Sequence, residues 1–187
     1  MSRDESSISW SRRGLLGGLL GLSGCGFRPL YGPITAADGT IEDLRTELAA
    51  VRVGPQYERS GQLLRRSLQR RLEDSQPGTP ARYLLNVGID LGSEILGYRQ
   101  DGAITRVRFT LAGTWNLSTL GVPPQRIAAS AIPFRELDSF NIPDLQFFAA
   151  DSSRDAAMER LMEGVSDEVT RQVAMELRRR RETSATG

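Results

Sequence analysis

The chain has 187 residues, with 24 basic and 23 acidic side chains and a formal net charge of +1. Such a balance provides no overall attraction to nucleic acid, so none is expected as a partner. Histidine is absent and Cys25 is the single cysteine. These counts exclude an internal disulfide, Ser-His and Cys-His catalysis and the usual imidazole metal sites. We therefore expect a protein that is not an enzyme and holds no metal or cofactor.

Residues 1–24 are typical of a signal peptide. Arg12 and Arg13 precede an apolar stretch over residues 14–22. This stretch is shorter than the roughly 20 apolar residues that a membrane-spanning helix needs. The paired arginines fit a twin-arginine export signal and an ordinary positively charged leader equally well, so the export route stays open.

Cys25 follows this leader directly. The run Leu22-Ser23-Gly24-Cys25 is typical of a bacterial lipobox, in which small residues before the cysteine give a processing enzyme access. The expected modification is a thioether to diacylglycerol, followed by cleavage before Cys25 and N-acylation of the new terminus. A buried free cysteine is the alternative. Gly26, which is not acidic, indicates by resemblance to bacterial lipoproteins that the protein is exported to the outer membrane.

The residues that start with this cysteine resemble a known family. Cys25-Gly26-Phe27-Arg28-Pro29-Leu30-Tyr31-Gly32 is similar to the mature start of the LptE family of lipoproteins. The resemblance implies a lipid-anchored protein on the periplasmic face of the outer membrane. Such a protein braces and plugs the LptD β-barrel in lipopolysaccharide transport and assembly, and could bind lipopolysaccharide itself. The alternative is an outer-membrane lipoprotein of other purpose, a small non-catalytic binding or scaffolding module.

Residues 25–47 are predicted to form the lipidated N-terminus and a linker, with one or two helical turns over residues 41–49. A single domain is expected over residues 48–181. It begins with a strand at residues 50–53 and a helix capped by Ser60. Leu64, Leu68 and Leu72 give this helix an apolar face. Its arginines lie off that face and are predicted to be solvated, with an anionic partner as the alternative.

Two long strands come next. Apolar residues alternate with polar ones over residues 83–91 and 107–117, and Asp101-Gly102 between them predicts a hairpin turn. A third strand is predicted over residues 126–134. Residues 137–149 have no clear period and are predicted to be a loop in which Phe140, Phe147 and Phe148 cover the core. The alternative is that Ser139-Phe140-Asn141 resembles a Ser-aromatic-Asn stretch that follows the last strand in the LptE family.

The last predicted element is a long helix that starts at residues 151–153 and is followed by a disordered tail over residues 182–187. The order β-α-β-β-β-α predicts an α+β two-layer sandwich. The family resemblance implies a four-stranded mixed sheet with both helices on one side. The predicted buried residues on the second strand and the last helix are Phe109, Leu111, Trp115, Leu161, Val165 and Val169.

Arginines near the hairpin turn are the candidate lipopolysaccharide site. Arg99 lies close to the turn, and Arg106 and Arg108 share one strand face because they are two residues apart. Arginine forks suit the phosphate groups of such a lipid. The alternative is simple solvation, with Asp101 or Glu94 as surface partners. A second run over residues 178–181 is predicted to stabilise the helix C-terminus, with contact to lipid phosphates as its alternative.

Overall fold

The computed structural model describes residues 34–35, 41–42, 44–144 and 146–184. The predicted signal peptide and Cys25 therefore lie outside the described residues. The described elements, in chain order, are β1 (Ile34–Thr35), β2 (Ile41–Glu42), α1 (Leu44–Ala49), β3 (Val51–Val53), α2 (Glu58–Arg71), a 3-10 turn (Glu73–Ser75), β4 (Tyr83–Tyr98), β5 (Ile104–Thr119), β6 (Arg126–Ala129), β7 (Phe134–Asn141) and α3 (Phe147–Ser184).

A mixed sheet forms one layer of the domain. β3 lies parallel to β4, and β4 and β5 form a long antiparallel hairpin. β6 and β7 both pair with the other edge of β5, and they run in the same direction. β1 and β2 form a separate two-stranded ladder. The predicted α+β class and its strand and helix order are confirmed.

β6 and β7 are two segments of one interrupted edge strand. Between the pairs Asn116↔Ala129 and Gly113↔Phe134, β5 advances three residues while the edge strand advances five. The extra residues bulge outward, and the Ser130 N–H closes the bulge on the Trp115 carbonyl at 2.9 Å. Counting this interrupted strand once, the sheet has the four strands that the family resemblance implies.

The prediction of a loop over residues 137–149 is wrong. β7 continues to Asn141, and α3 begins at Phe147. The apolar alternation fails in β7 because Asp138 lies on the helix-facing side, where its carboxylate accepts from Arg160 at 2.7 Å. Phe140 is buried as expected, whereas Phe147 and Phe148 are 78% and 93% exposed, since they precede the buried face of α3.

Three predicted helix limits also differ from the structure. α2 begins at Glu58 without a side-chain cap, so Ser60 lies inside it and does not cap it. α3 starts before residue 151 and continues to Ser184. Residues 182–184 are therefore helical, whereas a disordered tail was predicted from residue 182. Capping residues in the sequence therefore did not fix the limits of these helices.

The core lies between one face of the sheet and the two long helices. The expected leucine face of α2 is confirmed, since Leu64, Leu68 and Leu72 are fully buried. The six residues predicted to be buried on β5 and α3 are all confirmed, with at most 7% exposure: Phe109, Leu111, Trp115, Leu161, Val165 and Val169.

Ion pairs join α2 to α3 along the edge of this core. Arg71 pairs with Glu163 at 2.5 Å and with Asp167 at 2.6 Å, and Arg70 also pairs with Glu163. Arg65 and Arg66 are exposed on the same helix. Arg59 pairs with Asp155. Arg59, Arg70 and Arg71 therefore connect α2 to α3, whereas Arg65 and Arg66 are solvated as predicted.

Candidate functional site

The hairpin of β4 and β5 extends beyond the core. Along β4 the last buried residue is Val87, and along β5 the first is Phe109. The turn between the strands is closed by Gly102, whose φ of 84° favours glycine, and its N–H donates to the Arg99 carbonyl at 2.9 Å. Residues 92–98 alone span roughly 20 Å at the usual rise per residue. We call residues 91–106 the distal hairpin.

Arg106 and Arg108 lie on the face of the sheet that the helices leave uncovered. Successive side chains of β5 point alternately to this open face and to the core face, and Val107 and Phe109 point to the core. Strand register places Asn141 of β7 opposite Arg106, and Ser139 opposite Arg108. The Arg106 guanidinium donates to the Ser139 hydroxyl at 2.9 Å. The two strands therefore combine two guanidinium groups with a hydroxyl and an amide on one exposed surface.

Arg99 is held differently from these two arginines. Its guanidinium pairs with Asp144 at 2.6 Å and with Asp101 at 3.0 Å. The pKa of Arg99 is raised above its ordinary value, first by the hydrogen bond to Asp144 and then by the one to Asp101. Two carboxylates thus offset one positive charge. Arg99 ties the turn to the segment before α3, and an anionic ligand would have to displace two carboxylates to bind it.

Arg108 keeps more of its capacity to bind an anion. Its one ion pair among the described residues is with Glu94 across the hairpin, at 3.4 Å, and both side chains are substantially exposed. Exposed pairs of this kind contribute about 0–1 kcal/mol and are easily exchanged for another partner. For Arg106 the described residues provide the Ser139 hydroxyl as a partner and no carboxylate. Of the three arginines in the predicted cluster, Arg106 and Arg108 are therefore the two that are better able to bind an anion.

Sequence reasoning missed Ser139 and Asn141 as members of this surface. The stretch Ser139-Phe140-Asn141 was predicted to be a loop, yet it belongs to β7, with Phe140 in the core. One signal was available, because a buried aromatic residue between two polar residues is the alternation of a strand. We call Arg106, Arg108, Ser139 and Asn141 the open-face cluster.

The arginine run near the end of α3 serves the fold. Arg178 pairs with Glu182, Arg179 with Glu176, and Arg181 with Glu47. Arg180 donates to the Ile127 carbonyl at 2.7 Å. These contacts join α3 to α1 and to β6, so the run does more than stabilise the C-terminus of its own helix. Because its guanidinium groups already have partners within the domain, the contacts do not favour a site for lipid phosphates either.

Within the part of the chain that the structure describes, no cluster of His, Cys, Asp and Glu side chains could hold a metal ion. Among the same residues, no helix has the length and apolarity needed to cross a membrane. Cys25, the predicted lipidation site, lies outside the described ranges.

A solved structure shares this fold, and others are more distantly similar. The chain is 20% identical to a candidate lipoprotein from Caulobacter crescentus CB15, with a TM-score of 0.59 over 73% of this chain and 96% of that one. Rare lipoprotein B from Shewanella oneidensis is 11% identical, with a TM-score of 0.47 over 67% and 92% of the two chains. A minor lipoprotein from Acinetobacter baumannii is 13% identical, with a TM-score of 0.45 over 67% and 88%.

A comparison with curated proteins finds no match. The family model for LptE, described as lipopolysaccharide-assembly, matches residues 47–180, which include α2, the whole mixed sheet and all but the last four residues of α3. This match covers most of the chain and agrees with the resemblance at the predicted mature N-terminus. The chain therefore belongs to the LptE family of lipopolysaccharide-assembly proteins.

Proposed function

We propose that this protein is a lipoprotein of the outer membrane that partners an LptD β-barrel and contacts lipopolysaccharide during its transport and assembly. Cys25 would carry the diacylglycerol and N-acyl chains that anchor it to the periplasmic face. Family membership supports the general role. The work of such a protein is binding, and we propose no catalytic step.

The observation that carries the proposed lipid contact is the open-face cluster. Arg106 and Arg108 face solvent on a strand that projects from the core, and Ser139 adds a hydroxyl beside them. A phosphate group accepts charge-assisted hydrogen bonds from guanidinium forks, and a neighbouring hydroxyl can complete its coordination. The cluster therefore has the donors that a phosphorylated lipid requires.

The distal hairpin supports the proposed role as a plug. It is a narrow extension of two strands, whereas the rest of the domain is a broad two-layer body. A barrel with a wide lumen can admit such a hairpin while the body stays at its mouth. In this arrangement the open-face cluster would stand at the base of the inserted segment, where a lipid passing the barrel would meet it.

The lipid contact is tested with the variant Arg106→Ala/Arg108→Ala in the purified full chain. Affinity for lipopolysaccharide should fall and lose most of its salt dependence, because two guanidinium groups are removed. The matched control is Arg65→Ala/Arg66→Ala, which removes two exposed arginines from α2 and should bind like the wild type. Arg99 is kept, since its removal would also release two carboxylates. Equal affinity of both variants at low salt would contradict the proposed site.

The barrel partnership is tested separately, by isolating the tagged full chain from detergent-solubilised outer membrane. Recovery of a large β-barrel in a fixed ratio would support the role in lipopolysaccharide assembly. Isolation of the well-folded chain without a barrel would favour the second candidate, an outer-membrane lipoprotein that serves as a small binding or scaffolding module. The wild-type chain is sufficient for this experiment.

A further inference from the structure

The outer edge of β4 is only partly covered. β3 pairs with residues 83–85, and beyond it the Gly54 N–H donates to the Leu85 carbonyl at 2.8 Å. The Gln56 side-chain amide then donates to the Val87 carbonyl at 2.8 Å. Gln56 thus occupies the position that the next residue of a neighbouring strand would take.

From Ile89 onward this edge has no partner among the described residues. Backbone groups of alternate residues point to the same edge of a strand, so Ile89, Leu91 and Ser93 direct their N–H and C=O groups the same way as Leu85 and Val87. No backbone or side-chain hydrogen bond of the described residues reaches these outward groups. An exposed, unpaired edge of this kind is a template for adding another strand.

A cavity lies directly beside this edge. It has a volume of about 230 Å³ and lies between the first turn of α2 and the first part of α3. Leu63, Leu91 and Met158 supply its apolar lining, and the ion pair of Arg59 with Asp155 at 2.9 Å stands at its rim. Because Leu91 belongs to both the edge and the cavity, a strand added to β4 would place one side chain over this cavity.

The other face of the same edge carries two acidic side chains. Asp90 and Glu94 lie on the open face, on either side of Gly92, and both are exposed, while Glu94 also pairs with Arg108 across the hairpin at 3.4 Å. Antiparallel pairing of two copies about Gly92 would place Asp90 opposite Glu94, and like charges directly opposite are destabilising. Charge complementarity therefore favours a foreign strand with basic side chains over a second copy of this chain.

We propose that residues 89–95 of β4, together with the cavity at Leu91, form a docking site for an extended segment of a partner protein. The segment adds a strand to the sheet, inserts one apolar side chain beside Leu63 and Met158, and sets basic side chains opposite Asp90 and Glu94. Main-chain hydrogen bonds provide the affinity, and the alternating side chains provide the specificity. This inference does not require lipid binding, although Glu94 is also the partner of Arg108 in the open-face cluster.

The test uses the isotopically labelled full chain in detergent and a blocked nonapeptide in which lysine and leucine alternate. Amide exchange at Leu91 and Ser93 should be fast in the chain alone and should slow when the peptide saturates it. Ser93→Pro removes an outward N–H without touching the ladder to β5 and should weaken peptide binding about tenfold or more. Its matched control, Ser93→Ala, keeps that N–H and should bind like the wild type.

A second variant decides the outcome if Ser93→Pro does not fold. Asp90→Lys changes an exposed side chain. It should weaken binding of the lysine peptide and strengthen binding of a peptide in which glutamate replaces lysine. Equal binding of the lysine peptide to wild type and to every variant would overturn the proposal. Protection of the Leu91 and Ser93 amides before any peptide is added would also overturn it. If that protection is independent of protein concentration, the chain's own N-terminal segment covers the edge. If it rises with protein concentration, a second copy of the chain covers it.

Discussion

Arg181, near the end of α3, forms an ion pair with Glu47 of α1, and only 11% and 6% of these two side chains are exposed. The Tyr83 hydroxyl of β4 donates to the same carboxylate at 2.9 Å. One buried acid therefore joins the first helix of the domain, its sheet and the end of its last helix.

Glu47→Ala should reduce the free energy of unfolding by about 3–5 kcal/mol, because removing one partner of a buried pair leaves the desolvation of the other uncompensated. Urea unfolding measures this effect. Glu176→Ala is the control, since Glu176 pairs with Arg179 at the surface and such pairs contribute about 0–1 kcal/mol. Equal midpoints for the two variants would show that the buried pair does not stabilise the domain.

Stability should fall at alkaline pH through Tyr83. Burial, and then the hydrogen bond to Glu47, raise the pKa of Tyr83 from 10.0 to about 12. Because the pKa is higher in the folded state, its contribution is fully present below pH 10 and is lost as the pH rises toward 12. Urea midpoints across this window should decline more steeply for the wild type than for Tyr83→Phe, which cannot ionise. Parallel declines would contradict the assignment.

Gly113→Ala should destabilise the sheet by about 1–3 kcal/mol, the usual range for overpacking a core position. A Cβ at Gly113 would lie 2.6 Å from the Phe134 ring and would also meet the Gly88 carbonyl. Gly88→Ala is the matched control on the adjacent strand, where the nearest atom would be the Thr114 carbonyl oxygen at 3.9 Å. Thermal unfolding of both variants measures the difference, and a Gly113→Ala melt like that of the control would be the contrary result.

Trp115→Ala should cost about 3–5 kcal/mol, the range typical of removing a large aromatic residue from a core. Trp115 is 4% exposed, and its indole N–H donates to the Gln172 side chain at 2.6 Å. Gln172→Ala keeps the ring and removes this acceptor, so it should cost less, about 1–3 kcal/mol. Chemical denaturation of both variants tests this order, and a larger loss for Gln172→Ala would contradict it.

Cys25→Ala should abolish membrane anchoring. One acyl chain gives only marginal membrane binding, whereas several chains on one residue hold a protein stably. The variant should accumulate unprocessed or appear in the soluble fraction after cell lysis, as followed by immunoblotting of membrane fractions. Ser7→Ala, a serine substitution well before the cysteine, is the control and should fractionate like the wild type. Normal outer-membrane recovery of the Cys25 variant would contradict the assignment.

The sequence by itself determined the elements in which apolar residues repeat with one clear period. The leucine face of α2, the inward row of β5 and the buried face of α3 are visible in the chain because each repeats with the period of its element. The hairpin turn was equally predictable, since Gly102 provides the positive φ that the turn requires.

Only the tertiary structure decided what these elements place together. β7 was missed because Asp138 interrupts its inward row, and a distant arginine of α3 compensates for that charge. The contacts of the arginines near the hairpin depend on residues from other segments. Asp144 forms an ion pair with Arg99, and the Ser139 hydroxyl accepts a hydrogen bond from Arg106. Periodicity reports which face of an element is buried. Ion pairs between distant residues have no period, so their partners are set by strand register and helix packing alone.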